Sequence, residues 1–336
     1  MRVLRFLARR MLFLFPIGIG IVTITFVLGN IIPTDPVRVA VGPRASKETV
    51  ERITAQFGLD KSLPEQYVAY WQRLLAGDMG QSLITRRPVT EDLRRRIPAT
   101  TELGIAAILI GVSSGIVLGV VSAVQRGRLP DQISRVIAIG GVSSPDFFTG
   151  LLLQLIVAGG FGLLPIAGRI GYDVELTNIT GFFFLDSILT GNWTALVSAI
   201  KHIILPAITL GIPLSAVVAR LTRSGMLDVL NKDYILNARV AAGLPERLVV
   251  YKYALKNALV ATTSQIGLMI GWLLGGAVIV ETVFDWPGLG LYAVEAALND
   301  DLRPIMGTTL VAGIVYVLVN AVTDLIYTYL DPRISV

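Results

Sequence analysis

Long apolar runs free of charge dominate the pattern of this chain. They cover 11–32, 103–124, 147–167, 203–219, 257–280 and 305–323. A helix needs roughly 20 apolar residues to cross ~30 Å of hydrocarbon, so the pattern predicts six membrane-spanning helices. The third run opens after Pro145-Asp146, with an alternative start near Ile133. The fourth is short and holds Pro206 and Pro213. That predicts a kinked helix whose freed carbonyls are satisfied by neighbouring helices.

Between the runs the periodicity changes. Lys47–Phe57 and 65–75 place apolar residues three and four apart, which predicts two amphipathic helices. Tyr67, Tyr70 and Trp71 suit either packing at the outer mouth or the lipid interface. The segment 164–202 is rich in Gly and aromatics, including Phe182-Phe183-Phe184 and Trp193, and is expected to dip toward the membrane. The segment 233–259 is too polar to span, yet carries Ala-rich stretches on both sides of Gly243-Leu244-Pro245. Glycine tolerates the positive φ of a sharp helix end and proline opens the next helix. Helix, tight turn, helix is the expectation: either a projection that enters a groove on another protein or an ordinary helical hairpin.

Composition narrows the class. Apolar residues make up 53% and charged residues 16%, against about 25% charged in a soluble domain. This excludes a disordered chain, a collagen and a soluble enzyme. With no cysteine and one histidine, disulfides, thiolate metal sites and His-based triads are excluded as well. Short-loop base sets the orientation. Arg2, Arg5, Arg9 and Arg10, then Arg126, Arg128 and Arg135, then Arg220, Arg223, Lys232, Arg239, Arg247, Lys252 and Lys256 fall on one side of a six-span chain. That side is the cytoplasm, with both termini in it. The basic segment 33–98, including Arg94-Arg95-Arg96, would lie outside; loops longer than about 60 residues largely escape the rule. The amino-terminal run is too long for a cleaved signal and no A-x-A follows it, so it reads as a retained span. These loops account for the sequence pI near 9.5 without nucleic acid. Charges at membrane depth mark paths or pairs: Asp146 and Asp324 qualify on position, with capping or an interfacial charge as the alternative. His202 reads as interfacial.

Several motifs taken together resemble a known family. Asp233-Tyr234, Ala238-Arg239, Gly243-Leu244 and Ala254-Leu255-Lys256-Asn257-Ala258 resemble the "EAA"-type cytoplasmic loop of bacterial ABC importer permeases, with the stretch from Arg239 to Gly243 one residue longer than usual. Ile32-Pro33-Thr34-Asp35-Pro36, Gly77-Asp78-Met79-Gly80-Gln81-Ser82, Pro98-Ala99-Thr100 with Glu102-Leu103, Leu205-Pro206-Ala207 and Asp331-Pro332-Arg333 extend the match along the chain. The most specific stretch is Glu281-Thr282-Val283-Phe284-Asp285-Trp286-Pro287-Gly288-Leu289-Gly290. In this order the motifs resemble the first (B-type) permease of the dipeptide/oligopeptide/nickel ABC importers.

The resemblance implies an all-α membrane protein of six transmembrane helices, the type I ABC importer permease fold, with a helical extracytoplasmic insertion after helix 1. The implied parts are a cytoplasmic amino terminus and first span (1–32), an extracytoplasmic segment (33–97), a transmembrane type-1 domain (98–330, coupling loop 231–258) and a cytoplasmic tail (331–336). It assigns coupling to an ATPase to Asp233, Tyr234, Ala238, Arg239, Gly243 and Leu244. It makes Glu281, Phe284, Trp286, Pro287, Gly288 and Gly290 an outer turn. The implied setting is a prokaryotic inner membrane, with lipid around the chain. The implied partners are a second homologous permease, two ABC ATPase subunits and an extracytoplasmic substrate-binding protein. The chain has no G-x-x-x-x-G-K-[ST] phosphate cradle, so catalysis, ATP and Mg belong to the partners and no cofactor or metal to this chain. Dipeptides or short oligopeptides are the expected cargo; oligosaccharides, glutathione and nickel are alternatives. An ion-coupled secondary transporter would need inverted repeats and several buried carboxylates, and neither pattern is present.

Overall fold

The computed structural model describes residues 16–27, 29, 46–57 and 60–330. Its helices are α1 (Pro16–Val27), α2 (Lys47–Phe57), α3 (Leu63–Leu75), α4 (Val89–Val124), α5 (Leu129–Ser143), α6 (Asp146–Leu153), α7 (Phe183–Leu189), α8 (Trp193–Leu230), α9 (Asp233–Val240), α10 (Glu246–Leu248), α11 (Leu255–Val283), α12 (Leu289–Leu298) and α13 (Leu302–Leu330). Wide π-type turns extend α6 over Gln154–Gly160 and join α10 to α11 over Val249–Ala254. Among the described residues α4, α8 and the Leu302–Ala321 part of α13 are long and apolar enough to cross a membrane. The pair α5–α6 is a fourth candidate, bent by 113°. The tail 331–336 and the Pro33–Pro36 motif lie outside the described residues.

Three boundaries differ from those the hydropathy predicts. The second span is the inner part of a helix that already begins at Val89, before the basic run Arg94-Arg95-Arg96. Glu91 and Asp92 in its first turn favour the helix amino terminus. The third is not one helix over 147–167. Ser144, held extended at ψ 129 by the following Pro145, stops α5, and α6 starts in a new direction. The fourth runs unbroken from Trp193 to Leu230 through both prolines; Lys201 and Arg220 end the apolar run in sequence without ending the helix.

The chain divides into two compact units, one of Met1–Ala99 and Pro287–Leu318, the other of Thr100–Trp286 and Val319–Val336. The first therefore takes in α12 and most of α13 besides the 33–97 insertion. Within it, Tyr67 and Tyr70 of α3 bond Thr23 and Thr25 of α1, at 2.7 and 3.2 Å. Phe26 packs against both rings. Tyr67 and Tyr70 thus pack on the first helix, with Trp71 edge-on to Tyr67. The segment 77–88 turns on Gly77 and Gly80, both at positive φ, and its middle is clamped by one buried carboxylate. Asp301 accepts from the Ser82 hydroxyl and the Leu83 amide, both at 2.7 Å. Nearby, the buried Tyr292 donates to Asp92 at 3.0 Å, with Val89 and Leu93 packed beside it.

In the second unit α4 and α8 touch backbone to backbone. Gly111, Gly115 and Gly119 recur one turn apart, and a Cβ on any of them would lie 2.7 Å from a carbonyl oxygen of α8, those of Gly211, Ser215 and Ala219. Small residues at four-residue spacing permit such close approach where no water drives association. Helix α11 packs on the same α8, Gly225 meeting the Ala258 backbone. At the end where α4 stops, the buried Asp131 of α5 gathers Ser122 (2.5 Å), the Gly127 amide (2.9 Å) and a two-pronged Arg223 of α8 (3.0 and 3.1 Å). One carboxylate thus ties three helices together.

Candidate functional site

Residues expected to act fall mainly at two places along the chain. The first is the loop between α8 and α11. Lys232 sits extended before α9 and Pro245 before α10, as a proline-opened helix requires. Gly243 has φ +58 with nothing within 4 Å of a built Cβ, so its glycine answers a backbone need rather than crowding. Ala242 N–H reaches back to the Asn237 carbonyl and Leu244 N–H to that of Ala238, at 3.1 Å each, wider closures than a regular helix end.

Side chains of α9 divide by face. Ile235 and Ala238 are buried with Met226, Val249, Val250 and Ala254 against Val120 and Ala123 of α4, and Leu244 is packed on the same cluster. Tyr234, Leu236 and Val240 point outward, with Val240 77% exposed. Arg239 spans the turn to Glu246 with paired bonds of 3.0 and 2.6 Å, and Asn257 of α11 donates to the Tyr234 hydroxyl at 3.1 Å. Asp233 lies in the first turn of α9, where a negative charge suits the helix dipole. The loop is therefore a stiff bracket, rooted in three long helices and offering an apolar outer face.

The second place is the turn after α11. Trp286 N–H bonds the Glu281 carbonyl at 2.8 Å and Asp285 takes φ +48, the geometry of a Schellman helix end with Asp at the left-handed position. Phe284 and Trp286 are buried. The Glu281 carboxylate, fully buried, accepts from Thr100 Oγ1 of α4 at 2.6 Å. Gln154 donates to the Val283 carbonyl at 3.0 Å, and Gly168 N–H to that of Phe284 at 2.9 Å. Pro287 is exposed and Gly288 and Gly290 buried, at the start of α12.

Sequence reasoning missed the pair that holds the neighbouring loop. Arg169 and Glu102 are 5% and 6% exposed and meet at 2.5 Å. Arg169 also donates to the Gly181 carbonyl and lies 3.7 Å over the Phe183 ring. The second Glu102 oxygen accepts from the Phe184 amide. Asp186 collects the Ile179, Thr180 and Gly181 amides and the Thr180 hydroxyl. Burial alone would raise its pKa, but these donors outweigh it and hold the carboxyl below its ordinary range. The loop 168–191 is thus an ordered structure. Nothing in the sequence marked Arg169 as the partner of Glu102, 67 positions away.

Of the charges singled out by depth, Asp146 is half-buried in the first turn of α6. It lies against α11, since a Cβ at Gly276 would meet its Oδ2 at 3.2 Å. Asp324 is in α13, with a side chain outside the described ones. His202 bonds the Ser198 carbonyl of its own helix at 2.7 Å. Among the described residues no group of His, Asp and Glu has the makings of a metal site.

Residues 115–336 match the family described as binding-protein-dependent transport system inner membrane component, and residues 3–104 its amino-terminal companion. The chain belongs to this permease family. It is 44% identical over 317 residues to the probable D,D-dipeptide transport system permease protein of Escherichia coli, covering 94% of this chain and 93% of that one. It is 40% identical over 336 residues to the dipeptide transport system permease protein of the same organism, covering 98% of each. The glutathione transport system permease protein of Pectobacterium atrosepticum is 35% identical over 331 residues, 98% and 99% covered. The all-α permease fold and the membrane-subunit class that the motifs implied are those of the family. A permease of this kind is a transport subunit, and its family is an inner membrane component.

Proposed function

We propose that this chain is one of two permease subunits of an ATP-driven ABC importer for dipeptides or short oligopeptides. It would form half of the translocation path beside a second, homologous permease. Substrate arrives on an extracytoplasmic binding protein, and two ATPase subunits hold ATP and Mg. Both termini and the α9 bracket face the cytoplasm, as the basic short loops require. Asp233, Tyr234, Ala238, Arg239, Gly243 and Leu244 form the element that docks on an ATPase. The observation that carries the reading is the outward apolar face of α9 (Leu236, Val240) on a bracket rooted in α4, α8 and α11. A movement applied to that face is transmitted to three spans at once. The outer turn Glu281–Gly290 has a structural part, fixing the exit of α11. The peptide cargo follows the relatives named for dipeptides, at 44% and 40% identity.

The test is Gly243→Asp in the assembled transporter. The complex is expected to assemble while substrate-stimulated ATP hydrolysis and uptake both fall; survival of both would sink the coupling assignment. For cargo, the cognate binding protein is assayed against a panel of peptides and sugars. Tight sugar binding with no peptide binding would overturn the peptide reading.

A further inference from the structure

Beside Asp131, helices α4, α5 and α8 enclose a groove of about 510 Å³. Its long wall is apolar: Leu118, Ile139, Val142 and Ala216 line it, and Ile139 and Val142 are 67% and 55% exposed. One end is strongly basic, with Arg135, Arg220 and Arg223 among the lining residues. The bond from Arg223 to Asp131 brings the start of α5 beside α8, Arg135 reaches the same carboxylate, and Arg220 lines the groove one helical turn from Arg223. Val142 stands two turns farther along α5 than Arg135, roughly 10 Å at 1.5 Å per residue. A basic mouth above an apolar trough is the shape of an amphiphile with an anionic head.

Charge at the mouth is unbalanced. Asp131 is the carboxylate facing these arginines, and its oxygens are occupied by Ser122, the Gly127 amide and the Arg223 fork. Arg135 touches it only at 3.5 Å and is half exposed. Arg220 is exposed and has no ion pair among the described residues. An exposed arginine at a membrane boundary gains from a phosphate, which its planar fork grips in two places. Basic pockets between spanning helices suit acidic lipid headgroups.

We propose that this groove binds an acidic phospholipid, its phosphate between Arg220 and Arg135 and one acyl chain along Ile139 and Val142. The site goes beyond the transport reading and depends neither on cargo nor on the ATPase partners. The chain is cysteine-free, so Ile139→Cys, labelled on this chain before assembly with its partners, places one fluorophore at the groove in a transporter held in lipid nanodiscs. A fluorophore there is expected to be quenched more by brominated phosphatidylglycerol than by brominated phosphatidylcholine. R220Q should reduce that preference roughly five-fold, the order of ~1 kcal/mol per basic residue, and R220K should retain most of it. Because Arg220 is exposed, R220Q leaves packing intact. Equal quenching by the two lipids, or an unchanged preference in R220Q, would overturn the proposal. So would crosslinking of the Ile139→Cys thiol to the second permease, which would give the groove to a protein helix instead. ATP hydrolysis measured on the same samples separates this outcome from failure of the importer reading.

Discussion

The contact of α4 with α8 makes a prediction whose sign is decided by two competing magnitudes. Gly115→Ala adds one methyl group. In a helix interior that change alone favours folding by about 1 kcal/mol. At Gly115 the new carbon would stand 2.7 Å from the Ser215 carbonyl oxygen and 2.7 Å from Val218 Cβ. Both are roughly 0.8 Å inside the ~3.5 Å of ordinary contact, and neither is the far end of a flexible chain. The helices must part, loosening the neighbouring contacts at Gly111 and Gly119. Overpacking of this kind costs about 1–3 kcal/mol, so the net effect should be destabilising by up to ~2 kcal/mol. Gly104 provides the control on the same helix, since a Cβ there meets nothing within 4 Å. Gly104→Ala should be neutral or stabilising. The assay is unfolding of the detergent-solubilised transporter, followed by intrinsic tryptophan fluorescence against heat or SDS. Opposite shifts for the two substitutions support the close approach of α4 and α8. If Gly115→Ala stabilises as much as Gly104→Ala, the helices are not packed this way.

Removing one member of the buried pair should be costly. Glu102→Gln leaves Arg169 without its counter-charge, a loss on the order of 3–5 kcal/mol, read as lower yield and protease cleavage within 168–191. Replacing both partners by apolar residues should recover part of it, and equal sensitivity of single and double variants would refute the pairing. Asp186 has a folded pKa depressed below its unfolded value, so its contribution is present above the unfolded pKa and disappears as pH falls through the folded one. Loop protection should therefore decline only below about pH 4, and Asp186→Asn should abolish that dependence while lowering protection at neutral pH. Among the described residues Asp146 has no hydrogen bond or ion pair, so Asp146→Asn should spare stability. If its charge serves the path, uptake of peptides with a free amino terminus should fall more than uptake of amino-blocked ones; equal uptake of both would remove it from the path.

Local features were legible in the sequence because local physics produces them. The 3.6-residue spacing in Lys47–Phe57 identified α2, and Gly243 before Pro245 identified the turn, since each needs only its own few residues. Spacing within α4 even displays Gly111, Gly115 and Gly119 at a four-residue repeat. What it does not display is the surface they meet, Gly211, Ser215 and Ala219, a hundred positions later.

The same limit explains the misplaced span ends. A hydropathy run stops at a charge because an isolated charge in hydrocarbon costs several kcal/mol. That cost falls on unpaired charges, and pairing is a property of the fold. Arg223 lies within α8 because Asp131, 92 positions earlier, receives it. Arg169 is buried because Glu102 is. Charges read one at a time therefore shorten helices and turn structural pairs into apparent boundaries. Once the pairs are known, the informative charges are those left over. By that criterion Asp131 and Glu102 belong to the scaffold, whereas Arg220 and Asp146, which have no hydrogen bond or ion pair among the described residues, carry the functional questions.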